Sequence, residues 1–296
     1  MLSWQAKTEA TVTIDNPNTA LATGRVLILL DGSRLSLAAL EAAAEIAAER
    51  NAEVLGVFVE ELNLLRAAEY AFTREVGGSS GLARPLELAA LQSRMQAQAE
   101  RARQLLQRTM ARHGLVQTLQ LCRGRVAEEV ISLMQPEDLV VLGRVGWTCI
   151  PGARLGSTAQ ALVQQAPGEV LLWTEPRAQR ESRVVVLLNH HQLNNYRALQ
   201  VGIALARRSN QAMTVLVRSQ PDDDQSPVDD VLAYLQNKGV AARVERIAMA
   251  NAGAAVRAIQ KENASQLVVS RSSGLFANHE AEALLAELNL PVTVTP

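Results

Sequence analysis

The chain predicts two α/β domains in tandem, each built on a doubly wound parallel sheet. Three observations predict it: an internal repeat, short apolar runs alternating with helical stretches, and a glycine-marked loop set directly after one apolar run. Its 296 residues allow two domains of about 140 residues each. With 48% hydrophobic but only 3% aromatic residues, Ala, Val and Leu must build the interiors.

The repeat opens each half. Arg25-Val-Leu-Ile-Leu-Leu-Asp31 matches Arg183-Val-Val-Val-Leu-Leu-Asn189, and both read as buried first strands of branched apolar residues between polar ends. Alanine- and leucine-rich helical patterns follow at Ser36 to Glu49 and Tyr196 to Arg208. They lead into second strands at Val54 to Val59 and Thr214 to Val217. Later, Gln266-Leu-Val-Val-Ser-Arg aligns with Asp138-Leu-Val-Val-Leu-Gly, and Pro291-Val-Thr-Val echoes Gly168-Glu-Val-Leu-Leu. Strand, helix, strand, repeated, requires right-handed crossovers with helices on both faces of a parallel sheet, a Rossmann-like arrangement.

Thr174-Glu-Pro-Arg-Ala-Gln-Arg-Glu-Ser182 is polar and carries a proline. The expected organisation is therefore an N-terminal extension over 1–24, expected to be flexible, a first domain over 25–174, a linker over 175–182 and a second domain over 183–296.

In open α/β sheets, ligands bind beyond the carboxyl ends of the strands, so the residues just after strands carry the functional information. In the first half these are Asp31-Gly32-Ser33, Gly56-Val57, Arg123-Gly124-Arg125 and the stretch Gly143 to Ser157. The last reads GRVGWTCIPGARLGS: two glycines three apart, nine residues, then Gly156 with Ser157, directly after Leu139-Val-Val-Leu142. Glycines let backbone amides close on phosphate oxygens, and a small hydroxyl residue suits a helix start. Asp31 can accept from ribose hydroxyls or an adenine amine. Arg144 and Arg154 are placed to add charge to a polyphosphate, against the plainer reading of solvated loop arginines. Each glycine alone would serve an ordinary turn; the joint pattern carries the nucleotide reading.

Asp31-Gly32-Ser33, Gly124 and Gly143-x-x-Gly146-nine residues-Gly156-Ser157 resemble the universal stress protein family, whose ATP-binding members carry this glycine spacing. The resemblance covers about residues 25 to 174 and, more weakly, 183 to 296. It implies an adenine nucleotide alpha hydrolase-like domain with a five-stranded sheet. It also implies ATP or another adenine nucleotide, with Mg2+ as companion ion. The implied contacts are Asp31, Gly32, Ser33, backbone at Val57, Gly124, Leu142, Gly143, Arg144, Gly146, Gly156, Ser157 and Thr158. Domain pairing is implied too, between the two halves of one chain or as a homodimer, with a regulated protein as partner in a stress response.

The second half departs from that pattern. Asn189-His190-His191 replaces Asp-Gly-Ser, Ala252 stands at the Gly124 position, Arg271 replaces Gly143, and only Gly274 remains. An arginine side chain where backbone amides should meet phosphate is expected to block binding, which predicts one nucleotide per chain.

Other classes lose support. A net charge of −1, from 29 basic and 30 acidic residues, gives no case for nucleic acid or an anionic membrane. The N-terminus lacks a signal-peptide pattern, and the cytoplasm is the expected location. Cys122 and Cys149 stand in no metal-ligand spacing, though a thiol at Cys149 lies inside the glycine loop. Adjacent His190 and His191 point opposite ways on an extended segment and make no metal site alone; His113 and His279 are isolated. No GxxxxGK loop, Ser-His-acid set or paired carboxylate motif is present, so no catalytic residue is assigned, with slow ATP hydrolysis left as an alternative. A nucleotide-independent structural adaptor is the other alternative.

A long excursion, Glu60 to Gly114, separates the second and third strands of the first half. Leu86 to Met110 places Leu88, Leu91, Met95, Ala99 and Leu106 at helical spacing, which predicts a helix packed on the sheet. Gly77-Gly-Ser-Ser-Gly81 is loose enough for a lid over the crevice, and reads foremost as a disordered or partner-binding loop.

Overall fold

A computed structural model describes residues 24–31, 34–77, 80–144, 155–175, 182–188, 195–219, 226–248, 252–271, 284–285 and 287–296. The expected N-terminal extension, apart from Gly24, and most of the expected linker lie outside these residues. In the first half, β1 (Val26–Leu29) leads through α1 (Arg34–Arg50) to β2 (Val54–Glu61). The excursion follows as α2 (Leu62–Ala68), β3 (Arg74–Val76), β4 (Ala83–Pro85) and α3 (Leu88–Arg112). Then come β5 (Gln117–Gly124), α4 (Val126–Leu133), β6 (Leu139–Gly143), α5 (Ser157–Gln165) and β7 (Glu169–Trp173). The second half runs β8 (Arg183–Leu188), α6 (Asn195–Ser209), β9 (Ala212–Ser219), α7 (Ser226–Asn237), β10 (Ala242–Ala248), α8 (Ala252–Lys261), β11 (Ala264–Ser270) and β12 (Val292–Thr295).

The strands form one ten-stranded sheet in the order β10-β9-β8-β11-β12-β7-β6-β1-β2-β5. Each half contributes five neighbouring strands that pair in parallel. The halves meet where β12 pairs with β7 antiparallel, with Thr293 opposite Leu171.

The branched apolar runs explain the strands: Val26, Leu27, Ile28 and Val184 to Leu188 are fully buried, as a strand covered on both faces requires. The helices are close-packed through alanine, with Ala39, Ala43, Ala44 and Ala47 of α1 all inaccessible. Crossover helices repeatedly end on a residue that enters the left-handed region: Asn51, Gly114, Asn210, Gly239 and Asn263 have φ between 50° and 66°. The next amide returns to a carbonyl five residues back, as in Ala52 to Ala47 and Gln211 to Ala206, a Schellman closure that turns the chain into the following strand.

The excursion differs from expectation in two respects. Gly77, Ser80 and Gly81 lie between the two strands of an antiparallel hairpin, with Arg74 opposite Pro85 and the Gly77 amide donating to the Leu82 carbonyl; residues 78–79 lie outside the described set. Helix α3 packs on the sheet only from Ala99 onward; Leu91 and Met95 close a separate small core with Leu65 and Ala68 of α2. Among the described residues, no helix is long and apolar enough to cross a membrane.

Candidate functional site

Within the first half, chain order runs from β1 outward through β2 to β5, then crosses back to β6 on the other side of β1. The adjacent carboxyl ends of β1 and β6 therefore diverge, and a crevice opens at this switch point. A cavity of about 380 Å³ occupies it. Asp31 after β1, Phe58, Val59 and Glu61 at the end of β2, and Leu142, Gly143 and Arg144 at the end of β6 line it. The first turn of α5, Ser157 to Ala159, closes one side.

The lining of this cavity carries carboxylates and a helix start together. Asp31 and Glu61 bring carboxylates, and Glu61 Oε1 is buried with no hydrogen-bond partner. At α5, Gly156 holds the N-cap position with no side chain capping the helix and no acid in the first turn. Its first amides and the positive end of the helix dipole are therefore offered to whatever enters. The Gly156 amide itself is used internally, donating to the Arg144 carbonyl at 2.9 Å and fixing the loop's exit beside the end of β6.

A sequence profile of the universal stress protein family matches residues 23–173, just over half of the chain. The chain belongs to the universal stress protein family. Among solved structures, a universal stress protein from Archaeoglobus fulgidus DSM 4304 superposes with a TM-score of 0.68 at 14% identity, covering 92% of this chain and 95% of that one. A functionally unknown protein from Pseudomonas aeruginosa PAO1 superposes with a TM-score of 0.57 at 14% identity, covering 93% of each chain. These likenesses extend the universal stress protein fold over both halves. No curated protein matches the chain.

Of the residues singled out in the sequence, Asp31, Leu142, Gly143, Arg144, Gly156, Ser157 and Thr158 line this one cavity. Gly32, Ser33, Gly146 and Arg154 lie outside the described residues, as do Cys149, His190, His191, Gly274 and His279. Three expectations need correction. Val57 does not line the cavity: its side chain is buried and its carbonyl accepts from the Leu30 amide at 2.9 Å. Val59, on the same strand face, takes its place, because β2 runs on to Glu61. Gly124 also stays outside the cavity, one strand further out, against the Glu129 carboxylate where a Cβ would come within 2.1 Å of Oε1.

Arg144 is the third correction. It stands in the cavity wall, but its Nη1 donates across to the Leu288 carbonyl in the second half, and it is only 5% exposed. Burial pulls its guanidinium below the ordinary arginine value. Arg271, expected to obstruct the second crevice, turns the other way. Its Nε donates to Val163 at 2.6 Å, its Nη2 to Gly168 at 3.2 Å and its Nη1 to Ala166, all carbonyls of the first half.

Sequence reasoning missed Glu61, Met95 and Gln98 as cavity residues. Met95 and Gln98, three apart on α3, face the cavity from the excursion, so part of this insertion is a wall of the site. The signal was a polar residue beside an apolar helical stripe, which the packing reading absorbed.

Proposed function

We propose that the first half of this universal stress protein, residues 25–174, binds one adenine nucleotide, ATP in the first place. On this reading the second half, residues 183–296, joined through residues 175–182, supports the first without a nucleotide of its own. The observation that carries the reading is the lining of one cavity: the Asp31 and Glu61 carboxylates after β1 and at the end of β2, and the uncapped N-terminus of α5. Carboxylates accept from ribose hydroxyls and an exocyclic amine, while the N–H groups of the helix start and glycine backbone donate to phosphate oxygens. Met95 and Phe58 offer apolar surface to the base, and the Gln98 amide can read its edge. Mg2+ would enter on the phosphates, since no group of three or more His, Cys, Asp or Glu among the described residues could hold a metal ion. The nucleotide then serves as a signal in the cytoplasm: its occupancy alters the surface formed by the β1, β2 and β6 ends, which a partner protein reads in a stress response.

Calorimetric titration of ATP into wild type and Gly156→Arg tests the binding step. One site per chain in wild type and none in the variant is expected; equal heats overturn the site, and two sites per chain overturn the division of labour. Native mass spectrometry of freshly purified protein separates a nucleotide-responsive regulator, which carries ATP, from a structural adaptor, which does not.

A further inference from the structure

Among the described residues, helices bury the seam between the halves on one face of the sheet. On the side of α5 and α8, a single core runs across β7 and β12, joining Leu162 and Val163 to Leu284, Leu285 and Leu288. On the opposite side, the core beneath α1 and the core beneath α6 are separate clusters. The space between those two helices is a cavity of about 320 Å³. It shares no lining residue with the crevice at β1 and β6.

Its surface combines two chemistries. Leu139, Leu171 and Val201 form apolar walls, and Glu49, Arg50 and Arg208 stand among the lining groups. Glu169, 1% exposed at its side chain, binds Arg50 at 2.9 Å and Arg197 at 2.7 Å, tying α1 to α6. Arg208 reaches Glu49 at 3.4 Å. Three guanidiniums, Arg50, Arg197 and Arg208, therefore face two carboxylates, Glu49 and Glu169, so among the described residues this cluster carries one positive charge in excess beside an apolar hollow. Ligand pockets are typically of this kind, mostly apolar with a few placed polar groups, and this one lies at the small end of their size range.

We infer that this cavity binds a small amphipathic anion, a carboxylate bearing a short apolar tail. The tail covers the gap between the two cores, and the headgroup supplies the missing negative charge. A cation meets the excess positive charge, and an uncharged tail leaves it unmatched. Because α1 and α6 both contribute, occupancy clamps the two halves together and raises thermal stability through preferential binding to the folded state.

Trp173 lines the cavity, so the full chain carrying Trp4→Phe and Trp147→Phe reports on it through one indole. Octanoate is the probe and 1-octanol its uncharged counterpart. Octanoate is expected to shift Trp173 emission saturably and to raise the melting temperature, with octanol about tenfold weaker. Arg208→Glu reverses a charge without filling space and is expected to weaken octanoate by about tenfold. Ala204→Phe, at an exposed rim position of α6, fills the cavity and is expected to abolish the response. No saturable shift, equal binding of octanol, or a titration unmoved by both variants overturns the proposal. Displacement of octanoate by ATP would put it in the other crevice and also overturn it.

Discussion

Arg144 and Arg271 cross the seam in opposite directions, each onto carbonyls at the end of the other half's helix. Arg144 follows β6 and donates to Leu288, whose amide closes a helical turn onto Leu284. Arg271 follows β11 and donates to Val163 and Ala166 at the end of α5 and to Gly168 just before β7. The last carbonyls of a helix lack intrahelical donors and sit at the negative end of its dipole, so a guanidinium there is favoured twice. This exchange holds the two halves in register alongside the β7–β12 pairing. It also explains why an arginine stands where the first half has Gly143.

Arg271→Ala strips three carbonyls of their donor. Hydrogen bonds to a charged group contribute about 1.5 to 3 kcal/mol each in favourable settings, but water can reach this partly exposed side chain, so a total loss of about 2 kcal/mol is expected. The midpoint of urea unfolding of the full chain measures it. Arg271→Lys should recover only part, since one ammonium cannot span the fork that a guanidinium fills. An unchanged midpoint in the alanine variant would show that water substitutes for the side chain.

Arg144→Ala should behave as a seam variant and not as a phosphate contact. Stability falls by about 1 to 3 kcal/mol as the Leu288 carbonyl loses its donor. ATP affinity by calorimetry stays within about threefold, a shift of about 0.7 kcal/mol. A large affinity loss with unchanged stability would return Arg144 to the phosphates.

Glu61→Gln separates the roles of ligand contact and fold. The unpartnered buried Oε1 carries a desolvation penalty in the ligand-free protein, so neutralising the carboxylate should raise its melting temperature slightly. The same change removes an acceptor facing the nucleoside, and ATP binding should weaken by about tenfold, while inorganic triphosphate is unaffected. Equal losses for ATP and triphosphate would put Glu61 at the wrong end of the cavity.

Most of the scaffold was legible because its signals are local. Branched apolar runs gave the buried strands, alanine-rich spacing gave α1 and α6, and the two halves repeated the same order. The site was legible where it depends on strand ends and glycines, as at Asp31, Gly143 and Gly156. It was not legible where strand length or distant packing decides. Two extra residues in β2 move the strand end from Val59 to Glu61 and shift the cavity past Val57. Gly124 ends β5, which β2 separates from the switch point. Arg144 finds its partner 144 residues away, across a seam that exists only once β7 meets β12. The hairpin of β3 and β4 is short and largely exposed, without the alternation that marks a strand.

Gly56→Val links packing to the site. A Cβ at Gly56 would come within 2.6 Å of Leu106 Cδ2 and 3.0 Å of Leu119 Cδ1, so both leucine side chains must repack, and with Leu106 of α3 fully buried the displacement is expected to reach α3. Overpacking of this kind costs about 1 to 3 kcal/mol. Because Met95 and Gln98 ride on α3, ATP affinity should fall with stability, although Gly56 touches no ligand. Lower stability with unchanged affinity would mean that the excursion is not a wall of the site.

Glu169→Gln probes the seam on its open face. The buried carboxylate serves Arg50 from α1 and Arg197 from α6, whose side chains remain 19% and 28% exposed. Removing one partner of a fully buried pair costs about 3 to 5 kcal/mol, but these arginines can turn toward water, which brings the expected loss nearer 2 kcal/mol. Arg197→Ala should cost less, because Glu169 keeps Arg50. Urea unfolding of both variants gives the order, and a larger loss for Arg197→Ala would mean that α6 docking, and not charge balance, carries the effect.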